Sequence, residues 1–88
     1  MIFPTVLEAI QAERYRQSLQ WGGPEHDDEH APLEWLGFIQ KQVNRMAEDS
    51  GFSAEMRIIK IAALAIAALE CCERAKERGI PWTGSDSI

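Results

Sequence analysis

Apolar residues recur along this chain at helical spacing, and no stretch alternates with the period of a strand. Near the N-terminus, Val6, Ala9, Ile10 and the segment from Ala12 to Tyr15 form a partly apolar stripe, which predicts a helix from about Thr5 to Leu19. Thr5-Val6-Leu7-Glu8, just after Pro4, has the spacing of a capping box, and Gly22-Gly23-Pro24 ends the helix. In the next stretch Leu36, Ile39, Val43 and Met46 recur at i, i+3, i+7 and i+10, predicting a helix over about Leu33 to Glu48 with these four as its core face. Pro32 suits its first turn. Asp49-Ser50-Gly51 breaks the pattern, and Ser53 can cap a third helix over about Ala54 to Arg78, stopped by Gly79 and Pro81. The expectation is an all-α protein: residues 1–80 form one helical domain with three main helices, and residues 81–88 a short C-terminal tail.

The third helix carries the strongest constraint. From Ile58 to Leu69 it reads IIKIAALAIAAL, apolar throughout except for Lys60. A helix apolar all round must be covered on all sides, and a single chain of 88 residues buries too little surface to do so comfortably. A homodimer or larger assembly with this helix at its centre is therefore expected, the bundle being completed by oligomerisation. The run is too short to span a bilayer. The opening Met-Ile-Phe-Pro has no basic segment of a secretory signal. Cys71 and Cys72 are neighbours whose side chains diverge on a helix, so two free thiols in a reducing cytoplasm are expected. A formal net charge of −5 without a long basic stripe argues against a nucleic-acid polymer as partner.

Against that acidic background, four basic residues concentrate at helical spacing: Lys41 and Arg45 on the second helix, Arg57 and Lys60 on the third. Counted outward from Gly51, Arg45 and Arg57 are each six residues away, and Lys41 and Lys60 ten and nine. An antiparallel hairpin would set Arg45 beside Arg57 and Lys41 beside Lys60. On the third helix the basic pair lies opposite the stripe Ile58, Ala62, Ala65, Leu69. Like charges about 6 Å apart repel by roughly 2–3 kcal/mol per pair at an effective dielectric of ~20. Solvent, the carboxylates of Glu34, Glu48 and Glu55, or a bound anion would offset this.

Other candidate chemistry lies around the acidic stretch Glu25-His26-Asp27-Asp28-Glu29-His30. Its histidines share a face only if the segment is helical; flanked by Pro24 and Pro32 it reads as a solvated acidic loop rather than a metal site. Trp21 and Trp35 flank it, and either could stack on a base or simply anchor the loop. Tyr15, Arg14 and Arg16 could line the same groove. Trp82, past the helix stop, could cover a pocket or pack on a neighbouring subunit.

Several of these pieces occur in a familiar order: Glu13-Arg14-x-Arg16-Gln17-x-x-x-Trp21-Gly22, then His26-Asp27, then Pro32-Leu33-Glu34-Trp35-Leu36, then Ile59-x-Ile61-Ala62-Ala63-Leu64-Ala65-x-Ala67-x-Leu69-Glu70. From about residue 6 to 75 the chain resembles small MazG-like proteins, many encoded by phages and bacteria, of the all-α nucleotide pyrophosphohydrolase superfamily. Active members of that superfamily hold Mg²⁺ on an E-E-x-x-E motif and an E-x-x-D motif, and cleave nucleoside triphosphates to monophosphate and pyrophosphate. Placed by this resemblance, the first motif falls on Lys41, Gln42 and Arg45, the second on Arg57 and Lys60. Four of the five positions are basic and the fifth is an amide.

Such a pocket repels Mg²⁺ but suits phosphate, arginine by bidentate contacts and lysine as a point charge. The resemblance thus implies a MazG-like helical bundle that binds a phosphate-bearing small molecule without cleaving it. No catalytic residues, metal ligands or cofactor are expected. The implied site is Lys41, Gln42, Arg45, Arg57 and Lys60, with Trp21, His26, Trp35, Arg14 and Tyr15 around it. A phage origin would suggest sequestering a signalling nucleotide of a bacterial anti-phage defence, in the host cytoplasm. Two alternatives stand beside this reading. One is a Mg²⁺-dependent pyrophosphohydrolase with ligands relocated to Glu34, Glu48, Glu55 or the acidic stretch. The other is an interaction or inhibitor module whose basic face docks an acidic protein.

Overall fold

The computed structural model describes residues 1–48 and 54–82, and every regular element among them is helical. α1 spans Pro4–Trp21, α2 Pro24–Asp27, α3 Pro32–Glu48 and α4 Ala54–Glu77. The three long helices lie where the apolar spacing predicts them. The Asp49-Ser50-Gly51 break, the Ser53 cap and the tail beyond Trp82 lie outside the described residues.

α1 opens on Pro4 with Phe3 as N-cap and no side-chain cap, so Thr5 sits inside the helix and the capping box does not form. Proline presets the φ of a first turn and lacks an N–H that would go unpaired there. Gly22, at φ +106°, ends α1 and donates its N–H to the Ser18 carbonyl at 2.9 Å. The acidic stretch departs from the expected loop. Its first half folds into the single turn α2, in which the His26 and Asp27 N–H groups both donate to the Gly23 carbonyl at 3.1 Å. α4 closes as a Schellman motif, with Gly79 at φ +69°, the Ile80 N–H on the Ala75 carbonyl and the Gly79 N–H on that of Lys76, each at 3.0 Å.

α4 is the hub on which α1, α2 and α3 all pack. Its Ala63 and Ala67 are wholly buried, small residues that let neighbouring helices approach closely, and Leu64, Ala67 and Cys71 join Trp35 of α3 in the apolar core. Ile39, Ala68 and Trp82 pack against that cluster. Trp82 thus packs, partly buried, on its own chain's core. Both cysteines are free thiols, and burial pushes the Cys71 thiol up to about 11.

The inward faces differ from the periodicity in an instructive way. On α1 the buried residues are Glu13 and Gln17, while Val6, Tyr15 and Leu19 are exposed. On α3 Trp35 is the buried residue; Ile39 and Met46 are half-buried, and Leu36 and Val43 stand 59% and 45% exposed. Within one chain only the edge of the α3 apolar stripe nearest Trp35 meets α4. The α4 stripe is likewise uncovered, with Ile58 and Leu69 at 56% and 64%. No helix among the described residues is long and apolar enough to cross a membrane.

Candidate functional site

One face of α3 makes the long wall of a cavity of about 480 Å³. Trp35, Phe38, Gln42 and Arg45 follow at i, i+3, i+7 and i+10 with Lys41 beside them, so that wall is aromatic at its start and cationic at its end. At 1.5 Å per residue the two ends lie about 15 Å apart. Leu64 of α4, Trp21 at the end of α1, His26 and Asp27 of α2, and His30 complete the lining.

The aromatic end is mutually braced. The His30 ring meets Trp35 edge-on at 5.6 Å and Phe38 at 5.1 Å, and Trp35 meets Phe38 at 5.6 Å. Glu34 fixes the linker: its Oε1 accepts the Ala31 N–H at 2.9 Å and its Oε2 lies 3.1 Å from His30 Nδ1. The Ala31 N–H, then His30, hold the Glu34 carboxyl below its ordinary range. Trp35 is buried, and its indole Nε1 has no acceptor among the described residues.

The acidic stretch is an anchor, not a solvated loop. Asp27 is buried and lies 3.5 Å from Arg14 Nη2, which also donates to Glu70 at 3.1 Å, joining α1, α2 and α4. Asp28 takes Arg74 at 2.8 Å and Arg78 at 3.1 Å, tying α2 to the end of α4. The Arg74 donation holds the Asp28 carboxyl below its ordinary value.

The four basic residues do not form the single cradle that the hairpin count predicts. Lys41 and Arg45 line the cavity; Arg57 and Lys60 do not. Arg57 is buried and donates from Nη1 to Gln42 Oε1 at 2.8 Å, so it braces the cavity wall through that amide. Lys60 turns to α1, with Nζ 3.4 Å from Glu13 Oε2. The reason is that α1 lies on the side of α4 from which Lys60 projects, and a largely buried ammonium is stable only beside a carboxylate. Glu13 also accepts from Arg16 at 2.6 Å. That bond, with the Lys60 charge, holds its carboxyl below the usual range against burial, which acts the other way.

Of the remaining predicted residues, Trp21, His26, Trp35 and Gln42 do line the cavity. Arg14 and Tyr15 border a different, shallower depression of about 360 Å³ between α1 and α4, beside Ile10, Ile66 and Glu70. Phe38 and Leu64 were not singled out by sequence as site residues, although Phe38 stands three residues after Trp35 on the same helical face; Asp27 and His30 were noted as part of the acidic stretch. For the relocated-ligand alternative, Glu34 is engaged as described. Among the described residues no group of three or more Asp, Glu, His or Cys side chains is placed to hold a metal ion.

The electrostatic sorting is clear when all nine basic residues are followed. Arg14, Arg16, Lys60, Arg74, Lys76 and Arg78 each pair with a carboxylate, and Arg57 is held by an amide. No salt bridge of the described residues includes Lys41 or Arg45. Comparison with family models, with curated proteins and with solved structures finds no match for the chain.

Proposed function

We propose that this protein is a MazG-like helical protein that binds a nucleotide, or an anion derived from one, and does not cleave it. The observation that supports this reading is the placement of Lys41 and Arg45, which have no carboxylate partner among the described residues. In a chain with more acids than bases, both line the same cavity, and that cavity also carries indole and phenyl surface. Arg45 would fork onto a phosphate and Lys41 would add a point charge, while the half-exposed Trp21 would offer a face to a base. The orphaned Trp35 indole N–H is a donor that a ligand oxygen could satisfy. Lys41, Gln42 and Arg45 stand in the cavity where the resemblance places carboxylates, so those Mg²⁺ ligands are missing and the ligand would be retained intact. Retention without turnover suits sequestration, and a nucleotide signal of an anti-phage defence is the proposed cargo.

Purified protein incubated with nucleoside phosphates, cyclic nucleotides and ADP-ribose-type compounds should carry intact ligand that is recovered on denaturation. A charge-assisted hydrogen bond contributes about 1.5–3 kcal/mol, so Lys41→Glu and Arg45→Glu should each weaken retention at least tenfold. Uptake of none of these compounds, retention indifferent to both substitutions, or release of pyrophosphate would each refute the proposal.

The same reading includes a homodimer or larger assembly, of which the dimer is the simplest case. Ile58, Ala62, Ala65 and Leu69 make an apolar stripe on the side of α4 opposite Lys60, and a second copy would cover it. Small residues at its centre would allow close approach. Sedimentation should give a dimer for the intact chain and a monomer for Leu69→Lys; a monomeric intact chain would remove this part.

A further inference from the structure

The cavity wall also holds a pair of imidazoles whose geometry serves a second purpose. Nε2 of His26 lies 3.4 Å from Nε2 of His30, and the ring centroids are 5.1 Å apart with the planes at 81°. Two imidazole nitrogens bound at about 2.0–2.1 Å to one tetrahedral ion stand about 3.4 Å apart, with ring centroids about 5.2 Å apart. Both separations agree. As a direct hydrogen bond, by contrast, 3.4 Å is long.

From this juxtaposition we propose that His26 and His30 chelate a borderline divalent transition-metal ion, of which Zn²⁺ is the reference case, on the wall of the anion cavity.

Three features of the chain support it. The carboxylate of Glu34 lies 3.1 Å from His30 Nδ1, and by accepting that N–H it leaves the Nε2 lone pair for an ion. Carboxylate–histidine pairs orient metal-bound imidazoles in this way. Trp35 and Phe38, edge-on to His30, hold the ring from its other sides. Gly22 brings His26 into place: a Cβ there would stand 3.2 Å from His26 Cβ, on a backbone with φ +106°. Nitrogen donors without thiolate select Zn²⁺, Ni²⁺ or Cu²⁺ over Mg²⁺, which requires oxygen ligands. With two protein ligands, the remaining coordination positions are open to water or to an anionic oxygen in the cavity. The geometry of the pair stands independently of the nucleotide reading.

The experiment titrates chelator-treated protein with Zn²⁺ alone, by calorimetry, while the histidine ring-nitrogen NMR signals are followed. One ion per chain is expected, with the Nε2 resonances of two histidines shifting together. His26→Gln and His30→Gln should abolish stoichiometric uptake, and Glu34→Gln should weaken it about 10–100-fold with both ligands still present. Because His30 sits within the aromatic cluster, circular dichroism accompanies each variant, and the NMR shifts of the intact chain decide the matter if His30→Gln unfolds. No stoichiometric Zn²⁺ uptake by the intact chain, uptake unchanged by His26→Gln, or unmoved ring nitrogens would overturn the proposal. Since no nucleotide is present, failure here leaves nucleotide retention to be judged separately.

Discussion

Replacing Glu13 by glutamine tests the idea that a buried ion pair, not apolar contact, joins α1 to α4. The change keeps the side chain's shape and one acceptor oxygen but removes the charge beside Lys60. At 3.4 Å and an effective dielectric of ~20, the gross attraction lost is about 5 kcal/mol. Removing one partner of a buried pair typically costs about 3–5 kcal/mol, because the other charge is left uncompensated. Here the Lys60 side chain retains 18% exposure, so water recovers part of that cost. The Arg16 bonds to Glu13 are lost as well, but at 48% exposure water recovers much of their contribution too. A loss of about 2 kcal/mol is expected, or a fall of about 2 M in the urea midpoint at an m-value near 1 kcal/mol/M, at fixed protein concentration. Lys60→Met removes the other charge, and the double variant should be less destabilised than the sum by about 1 kcal/mol or more. The pH dependence has a definite sign. Because the folded Glu13 carboxyl titrates below its ordinary value, its contribution is full above the unfolded carboxyl pKa of about 4.3 and is lost as pH falls through the folded value. The gap between intact and Glu13→Gln chains should therefore begin to narrow as pH falls below about 4.3 and keep narrowing on further acidification. A midpoint shift under about 0.3 M, strictly additive single effects, or a gap that does not narrow with acid would refute the reasoning.

Three further outcomes follow from neighbouring contacts. Asp28→Asn removes the charge that Arg74 and Arg78 share, so the end of α4 should lose amide protection in hydrogen exchange before the α1–α4 contact does. Cys71, with its thiol at about 11, presents only about one thiolate in a thousand at pH 8; it should resist iodoacetamide in the folded chain and react once urea unfolds it, as mass mapping of each thiol would reveal. Gly22→Ala meets both a positive φ and a 3.2 Å approach to His26, so a loss of about 1–3 kcal/mol is expected, read as a lower melting temperature.

The positions of the long helices were legible because spacing alone encodes them. Proline and glycine marked their ends: Gly22, Pro32 and Gly79 each stand where a helix starts or stops. The inward faces were less legible. Periodicity reports a stripe that is apolar without reporting who covers it, so Leu36 and Val43 read as core although α4 reaches only the neighbouring edge of α3. For α1 the rule gives part of the inward face: Ala9 and Ile10 are half-buried, but the buried residues are the polar Glu13 and Gln17, while Val6 and Tyr15 are exposed. The signal was present in Lys60: a charge in an apolar run requires a partner, and Glu13 is the buried carboxylate that answers it. The cavity was half legible. Lys41, Gln42 and Arg45 share a face by counting, and Phe38 joins them by the same count. The approach of His26 to His30 depended on whether residues between Pro24 and Pro32 are helical, and local preference does not decide that for so short a segment.

Burial sorts the basic residues into two kinds, and the sorting links stability to ligand chemistry. Lys60 and Arg57 lie where a charge without compensation would destabilise the fold, and each has a polar partner there, Glu13 for Lys60 and Gln42 for Arg57. Those contacts direct the Lys60 ammonium and Arg57 Nη1 away from the cavity. Lys41 and Arg45 are exposed, so water can solvate them and the fold places no demand for a carboxylate nearby. That freedom by itself would scatter such residues over the surface. Their placement four residues apart, beyond Trp35 and Phe38 on one wall, gives them a common direction along the cavity. The Arg57–Gln42 bond connects the two kinds, because Gln42 lies between Lys41 and the turn that carries Arg45. An interior cation thereby stiffens the helical face from which the free ones project. Under the proposed reading, substitution of Arg57 would act on anion retention through wall geometry, whereas substitution of Arg45 would act through charge.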